Sequence, residues 1–116
     1  MGKVTDQLKD LPGYIASCVV DSDSGMTLEA DAAGRLNIEM AAAGNTEVVK
    51  AKRKTMKMLG LKDEIEDILI TLGQQYHVIR PLPGTSPVFV YVAVDRNVGN
   101  LALTRMRVAE VSRSLV

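Results

Sequence analysis

The stretch from Ile65 to Leu82 (IEDILITLGQQYHVIRPL) narrows the choice of fold more than any other part of the chain. It reads as two strands joined at Gly73-Gln74, with glycine where a type II′ hairpin requires positive φ. Along the first strand Ile68, Ile70 and Leu72 point to one face, and Ile65, Leu69 and Thr71 to the other. Both faces are largely apolar, so the sheet needs cover on each side. The strand is led in by Asp63, Glu64, Glu66 and Asp67, acidic residues of the kind that guard a sheet edge against indiscriminate pairing. It is therefore expected at an edge, where a second copy of the chain can meet it.

The remaining patterns supply the rest of the sheet and its cover. A short amphipathic helix is expected over Val4 to Asp10, with Val4, Leu8 and Leu11 on one side and Pro12-Gly13 as its stop. Tyr14 to Asp21 reads as a strand, and small residues at Ala16 and Ser17 let a helix approach it closely. Ser22-Asp23-Ser24-Gly25 is turn chemistry, and Met26 to Ala30 returns as a second strand. Asp31 to Leu36 leads into a long helix, Asn37 to Leu59, ending at Gly60 as a C′ glycine. After the loop Pro83 to Pro87, Val88 to Asp95 is the most apolar strand and belongs in the sheet interior. Asn97 is a candidate N-cap for a last helix reaching Ser114, with Leu101, Thr104, Val108, Val111 and Leu115 facing the core. The fold class that results is α/β (α+β). A single, mainly antiparallel five-stranded sheet carries helices on both faces, in the order helix, two strands, helix, three strands, helix. At 116 residues the chain, 1–116, is read as one domain.

The long helix carries too much apolar surface for one sheet. At about 100° per residue, Met40, Ala41, Gly44, Val48, Ala51, Thr55, Met58 and Leu59 form one stripe. Ile38, Ala42, Val49 and Met56, with Asn45 among them, form a second beside it. Together they span roughly 200° of the circumference, where one sheet face ordinarily covers about 100°. One side can pack on the chain's own sheet. The other, assigned to Ile38, Ala42, Asn45, Val49, Lys52 and Met56, is expected to meet a second copy, and Val49→Asp or Met56→Asp to yield monomers.

Composition excludes more than it assigns. Fourteen basic and fourteen acidic residues cancel, so no global field draws in nucleic acid or an acidic membrane. With three Tyr and one Phe, the core rests on aliphatic residues and Met. The lone Cys18 rules out an internal disulfide and fits a reducing compartment. The start lacks the apolar run of a signal peptide, and Asp6 stands where the myristoylation pattern needs Ser or Thr. No apolar run approaches the roughly 20 residues that span a bilayer, and a cytoplasmic protein is expected.

Candidate chemistry is sparse. His77 has no second His or Cys near it in sequence and reads as a structural or surface histidine. Cys18 alternates with Ala16 and Val20 and reads as an inert buried thiol. Asp21 and Asp23 lack the further acids of a calcium loop. Ser17, Ser22 and Ser24 lack a hydrolase elbow, and the glycines make no phosphate-binding fingerprint. No catalytic, metal or cofactor site is expected. Lys50, Lys52, Arg53, Lys54 and Lys57 form the one basic cluster; Lys50, Arg53, Lys54 and Lys57 share a helix face, either solvated or a docking patch for an acidic partner surface.

Three stretches carry a family likeness: Ile15 to Leu28 (IASCVVDSDSGMTL), Glu66 to Leu82, and Phe89 to Arg96 (FVYVAVDR) followed by Asn100 to Leu103 (NLAL). In these, and in the order of its elements, the chain resembles the roadblock (dynein light chain) family from about Tyr14 to Val111. It is similar above all to the bacterial branch that includes the gliding-motility regulator of a Ras-like GTPase. The resemblance implies a homodimer built from paired long helices, with Ile65, Ile68 and Ile70 on an edge strand that extends one sheet across two copies. It also implies a noncatalytic partner of a Ras-like small GTPase, or alternatively a structural or signalling subunit of a larger complex. No arginine finger is evident, so an effect on hydrolysis implies ordering of the GTPase's own switch elements. Antiparallel pairing of two edge strands centred near Ile68 keeps Glu64 and Glu66 away from their own images.

Overall fold

The computed structural model describes residues 3–116; the readings that involve Met1 and Gly2 lie outside them. The elements run α1 (Val4–Leu8), β1 (Tyr14–Asp21), β2 (Met26–Asp31), α2 (Ile38–Met58), β3 (Ile68–Thr71), β4 (Gln75–Pro81), β5 (Val88–Asp95) and α3 (Leu101–Arg113). The sheet order is β2-β1-β5-β4-β3, and every neighbouring pair is antiparallel.

β5 sits at the centre because it is the strand with most to hide. Phe89 to Val94 are buried without interruption, as a strand with neighbours on both edges and layers on both faces requires. On one face Val19, Val78, Val90, Val92 and Val94 pack with Val4 and Leu8 of α1, Leu11, and Val108 and Val111 of α3. On the other, Ala16, Cys18, Val20, Ile79, Phe89, Tyr91 and Ala93 pack with Ile38, Ala42 and Val49 of α2. The small Ala16 and Ala42 are both fully buried where α2 crosses the sheet. No buried side-chain polar atom among the described residues lacks a hydrogen-bond partner.

Local chemistry places the helix ends. Asn37 Oδ1 accepts from the Met40 N–H at 3.1 Å and starts α2. At its far end the Gly60 N–H donates to Lys57 O and the Leu61 N–H to Met56 O, a Schellman closure with Gly60 at φ +69. The cap of α3 is Asn100, whose Oδ1 accepts from the Leu103 N–H at 2.9 Å, and not Asn97. Asn97 lies in the preceding turn, with its N–H on Asp95 Oδ1 and its amide on Gln74 Oε1. Gly13, at φ +75, is needed where the chain turns against β5: a Cβ there would stand 2.9 Å from Asp95 O.

Three boundaries differ from the sequence reading. α1 stops at Leu8, before Lys9 and Asp10 reach out to charged partners: Lys9 to Asp6 and Asp31, Asp10 to Arg107. β3 is shorter than Ile65 to Leu72, because only Ile68 to Thr71 face a β4 residue across the ladder. Gly73 does not take positive φ, so the β3–β4 connection is not a type II′ turn. The Leu72 N–H donates to Gln75 O, and Arg96 closes the end of the hairpin by donating to Leu72 O while its guanidinium stacks on Tyr76. No helix among the described residues is long and apolar enough to cross a membrane.

Candidate functional site

The feature that stands apart from the packed core is α2 itself. Ile38, Ala42, Thr46 and Val49 face the sheet and are buried, with Asn45, Arg53 and Met56 half-buried along the same side. This corrects the sequence assignment of the helix faces. Ile38, Ala42 and Val49 close the protomer's own core and are not available to a second copy. Both stripes are apolar, and the phase at which Asn37 caps the helix after β2 decides which one meets the sheet. Of the other stripe, Ala41 and Val48 are half-buried at the margin of that core, and Met40, Gly44, Ala51, Thr55, Met58 and Leu59 are left exposed. Met40, Met58 and Leu59 are 70%, 77% and 65% exposed. Beyond Val49 no residue of α2 is buried, so the rest of the helix carries its apolar residues largely into water.

The second assigned element, β3, is at the sheet edge as expected, with one side unpaired. Ile68 and Ile70 lean onto the α2 face and are half-buried there, while Leu69 and Leu72 are exposed. Ile65 falls outside the strand and lines a cleft of about 390 Å³ between the end of α2 and the 81–84 segment, with Arg53, Met56 and Lys57. Of the acids that lead into β3, Asp67 is clamped by Arg105 (2.8 and 3.0 Å) and Glu64 accepts the Gly84 N–H at 2.7 Å. These two contacts hold the lead-in segment against the body of the protein, so the free edge is presented by an anchored strand.

The basic cluster divides. Lys50, Lys54 and Lys57 are exposed, whereas Arg53 is half-buried in the cleft. None of the four has an ion-pair partner among the described residues. Lys52, assigned to the interface, is also exposed.

Sequence reasoning missed the pocket beside His77. A cavity of about 280 Å³ opens between the first half of α2 and the sheet, lined by Leu36, Asn37, Met40, Ala41, Gly44, Asn45, His77 and Tyr91. Its existence follows from the absence of bulk at Ala41 and Gly44, a signal visible in the sequence only once the facing of α2 is known. His77 donates from Nε2 to Gln75 Oε1 (2.7 Å), which leaves Nδ1 to accept from the Tyr91 hydroxyl (3.3 Å). The two rings meet edge to face with centroids 5.4 Å apart. Burial pushes the Tyr91 hydroxyl up to about 12 and the Cys18 thiol up to about 12, so neither is an activated nucleophile. No group of three or more His, Cys, Asp or Glu among the described residues is placed to hold a metal.

Burial also lowers the pKa of His77 below its ordinary 6.5. Above that value His77 is neutral in both folded and unfolded chains. Below it the unfolded chain takes the proton first, so its contribution to stability is lost as pH falls towards the folded pKa. The thermal midpoint should therefore drop more between about pH 7 and about pH 5 in the native chain than in His77→Gln. Equal drops in the two proteins contradict this role.

Comparison of the whole fold finds strong matches among solved structures. A roadblock/LC7 domain from Streptomyces avermitilis superposes with a TM-score of 0.82 at 12% identity, covering 97% of this chain and 91% of that one. Myxococcus xanthus MglB gives 0.83 at 19% identity, covering 97% and 88%. The gliding protein MglB from Thermus thermophilus gives 0.70 at 12% identity, covering 96% and 87%. No protein-family model matches the sequence, and no curated protein matches it. The fold is that of the roadblock domain.

Proposed function

We propose that this roadblock-fold chain, a single domain over 1–116, is a noncatalytic adaptor that pairs with itself and regulates a Ras-like small GTPase. The observation that carries the reading is the outward stripe of α2: a long helix docked along one side that leaves Met40, Met58 and Leu59 open to water at the two ends of its other side. A second copy of the same helix covers that stripe, and the unpaired edge of β3 continues the sheet into the partner. Beside the stripe runs the ridge of Lys50, Lys54 and Lys57, with Arg53 at the cleft, cations unmatched by any ion pair among the described residues. Such a ridge favours an acidic partner surface and fast association rather than high intrinsic affinity. The GTPase partner comes from the likeness in the Ile15–Leu28, Glu66–Leu82 and Phe89–Arg96 stretches. The solved neighbours that bear the MglB name share the fold on which that likeness rests.

The test uses the purified 116-residue chain as bait in native lysate, followed by measurement of GTP hydrolysis and nucleotide release by whatever GTP-binding protein it retains. Recovery of such a protein, with an altered nucleotide cycle, is the expected result. Lys50→Glu combined with Lys57→Glu should weaken its binding by roughly tenfold or more and leave the mass of the adaptor unchanged. Recovery of an assembly without any GTP-binding protein overturns the proposal in favour of a subunit of a larger complex.

A further inference from the structure

The outward stripe of α2 has the same spacing read from either end. About a point between Val49 and Lys50, Val48 mirrors Ala51, Gly44 mirrors Thr55, and the pair Met40-Ala41 mirrors Met58-Leu59. A helix that pairs with its own image about a two-fold axis, antiparallel, brings such mirrored positions to the same level. The levels also match in height above the sheet. Met40 and Met58 are five helical turns apart and share the solvent side of the stripe, and Ala41 and Leu59 share the side nearer the sheet.

The sheet-side pair meets the cavity beside His77. Leu59 is 65% exposed in the single chain. At the other end of the stripe, Ala41 and Gly44 line a pocket of about 280 Å³ floored by His77 and Tyr91. A Cβ added at Gly44 would meet nothing within 4 Å, so no neighbour of the same chain occupies the space beside it. We infer that Leu59 of a second copy fills the pocket formed by Ala41, Gly44, His77 and Tyr91, and reciprocally, which fixes the register of the two α2 helices about Val48 and Ala51. The inference rests on the self-pairing proposed above and goes beyond it by naming the socket and its occupant. Hydrophobic filling supplies the attraction, and the small residues at Ala41 and Gly44 supply selectivity for a branched aliphatic side chain. His77 then lies beneath the incoming residue, neutral and already hydrogen-bonded to Gln75 and Tyr91, so it needs no further polar partner on closure.

Cysteine trapping in the 116-residue chain tests the register. Ala41→Cys with Leu59→Cys, oxidised and run without reductant, should give a covalent dimer. Neither single variant should, because each position lies far from its own image in this register. In a second measurement, Ala41→Leu should raise the dimer dissociation constant roughly tenfold by overfilling the socket, and adding Leu59→Ala should restore it towards the native value. A native protein that light scattering shows to be dimeric, yet whose double-cysteine variant stays unlinked or whose Ala41→Cys variant links alone, overturns the register and leaves the dimer standing. A monomeric native protein overturns both.

Discussion

Val49→Asp should unfold the chain rather than separate two folded copies. Val49 is fully buried among Ala16, Cys18, Val20, Phe89 and Tyr91, and no cationic side chain belongs to that core. An uncompensated carboxylate in such a place costs about 3–5 kcal/mol, a large part of the roughly 5–15 kcal/mol that holds a domain together. Circular dichroism with chemical denaturation should show a collapsed transition or none, at every protein concentration. A Val49→Asp protein that keeps a native transition and merely halves its mass contradicts the facing of α2 described above.

Ala51→Asp should do the opposite. Ala51 lies on the outer stripe, exposed, close to the proposed two-fold axis. The single chain loses little, because the new carboxylate remains in water and helix propensity changes by at most about 0.7 kcal/mol. In the pair, two carboxylates are brought near each other and taken out of water together, which should cost at least about 3 kcal/mol and shift the dissociation constant by roughly 100-fold. Sedimentation should then show a folded monomer. An intact Ala51→Asp dimer would place the interface elsewhere, with the β3 edge as the next candidate.

These opposite outcomes mark where the sequence was legible. β5 was readable to its end residues because an unbroken apolar run admits one place in a sheet, the middle. The edge position of β3 followed from its acidic lead-in, and the surplus apolar surface of α2 from helical periodicity alone. Which stripe of α2 turns inward was not legible. Ile38, Ala42 and Val49 look no more interior than Ala41, Gly44 and Val48 until the cap at Asn37 and the connection from β2 set the rotation of the helix. The same holds for Asn97 and Asn100, two equivalent caps by residue type, between which the Asp95 carboxylate decides by taking the Asn97 N–H. The pocket beside His77 belongs to neither strand nor helix patterning. It arises where two small residues on α2 pass over two rings on the sheet, a coincidence that only tertiary structure reveals.

The central claim is that the outer stripe of α2 is covered by its own image, and the solution mass of the unmodified chain tests it most directly. Light scattering on the size-exclusion peak should return twice the 12.5 kDa of one chain, falling towards 12.5 kDa in Ala51→Asp. A native protein that holds at 12.5 kDa over the whole concentration range, with Met40, Met58 and Leu59 still open to solvent, contradicts it.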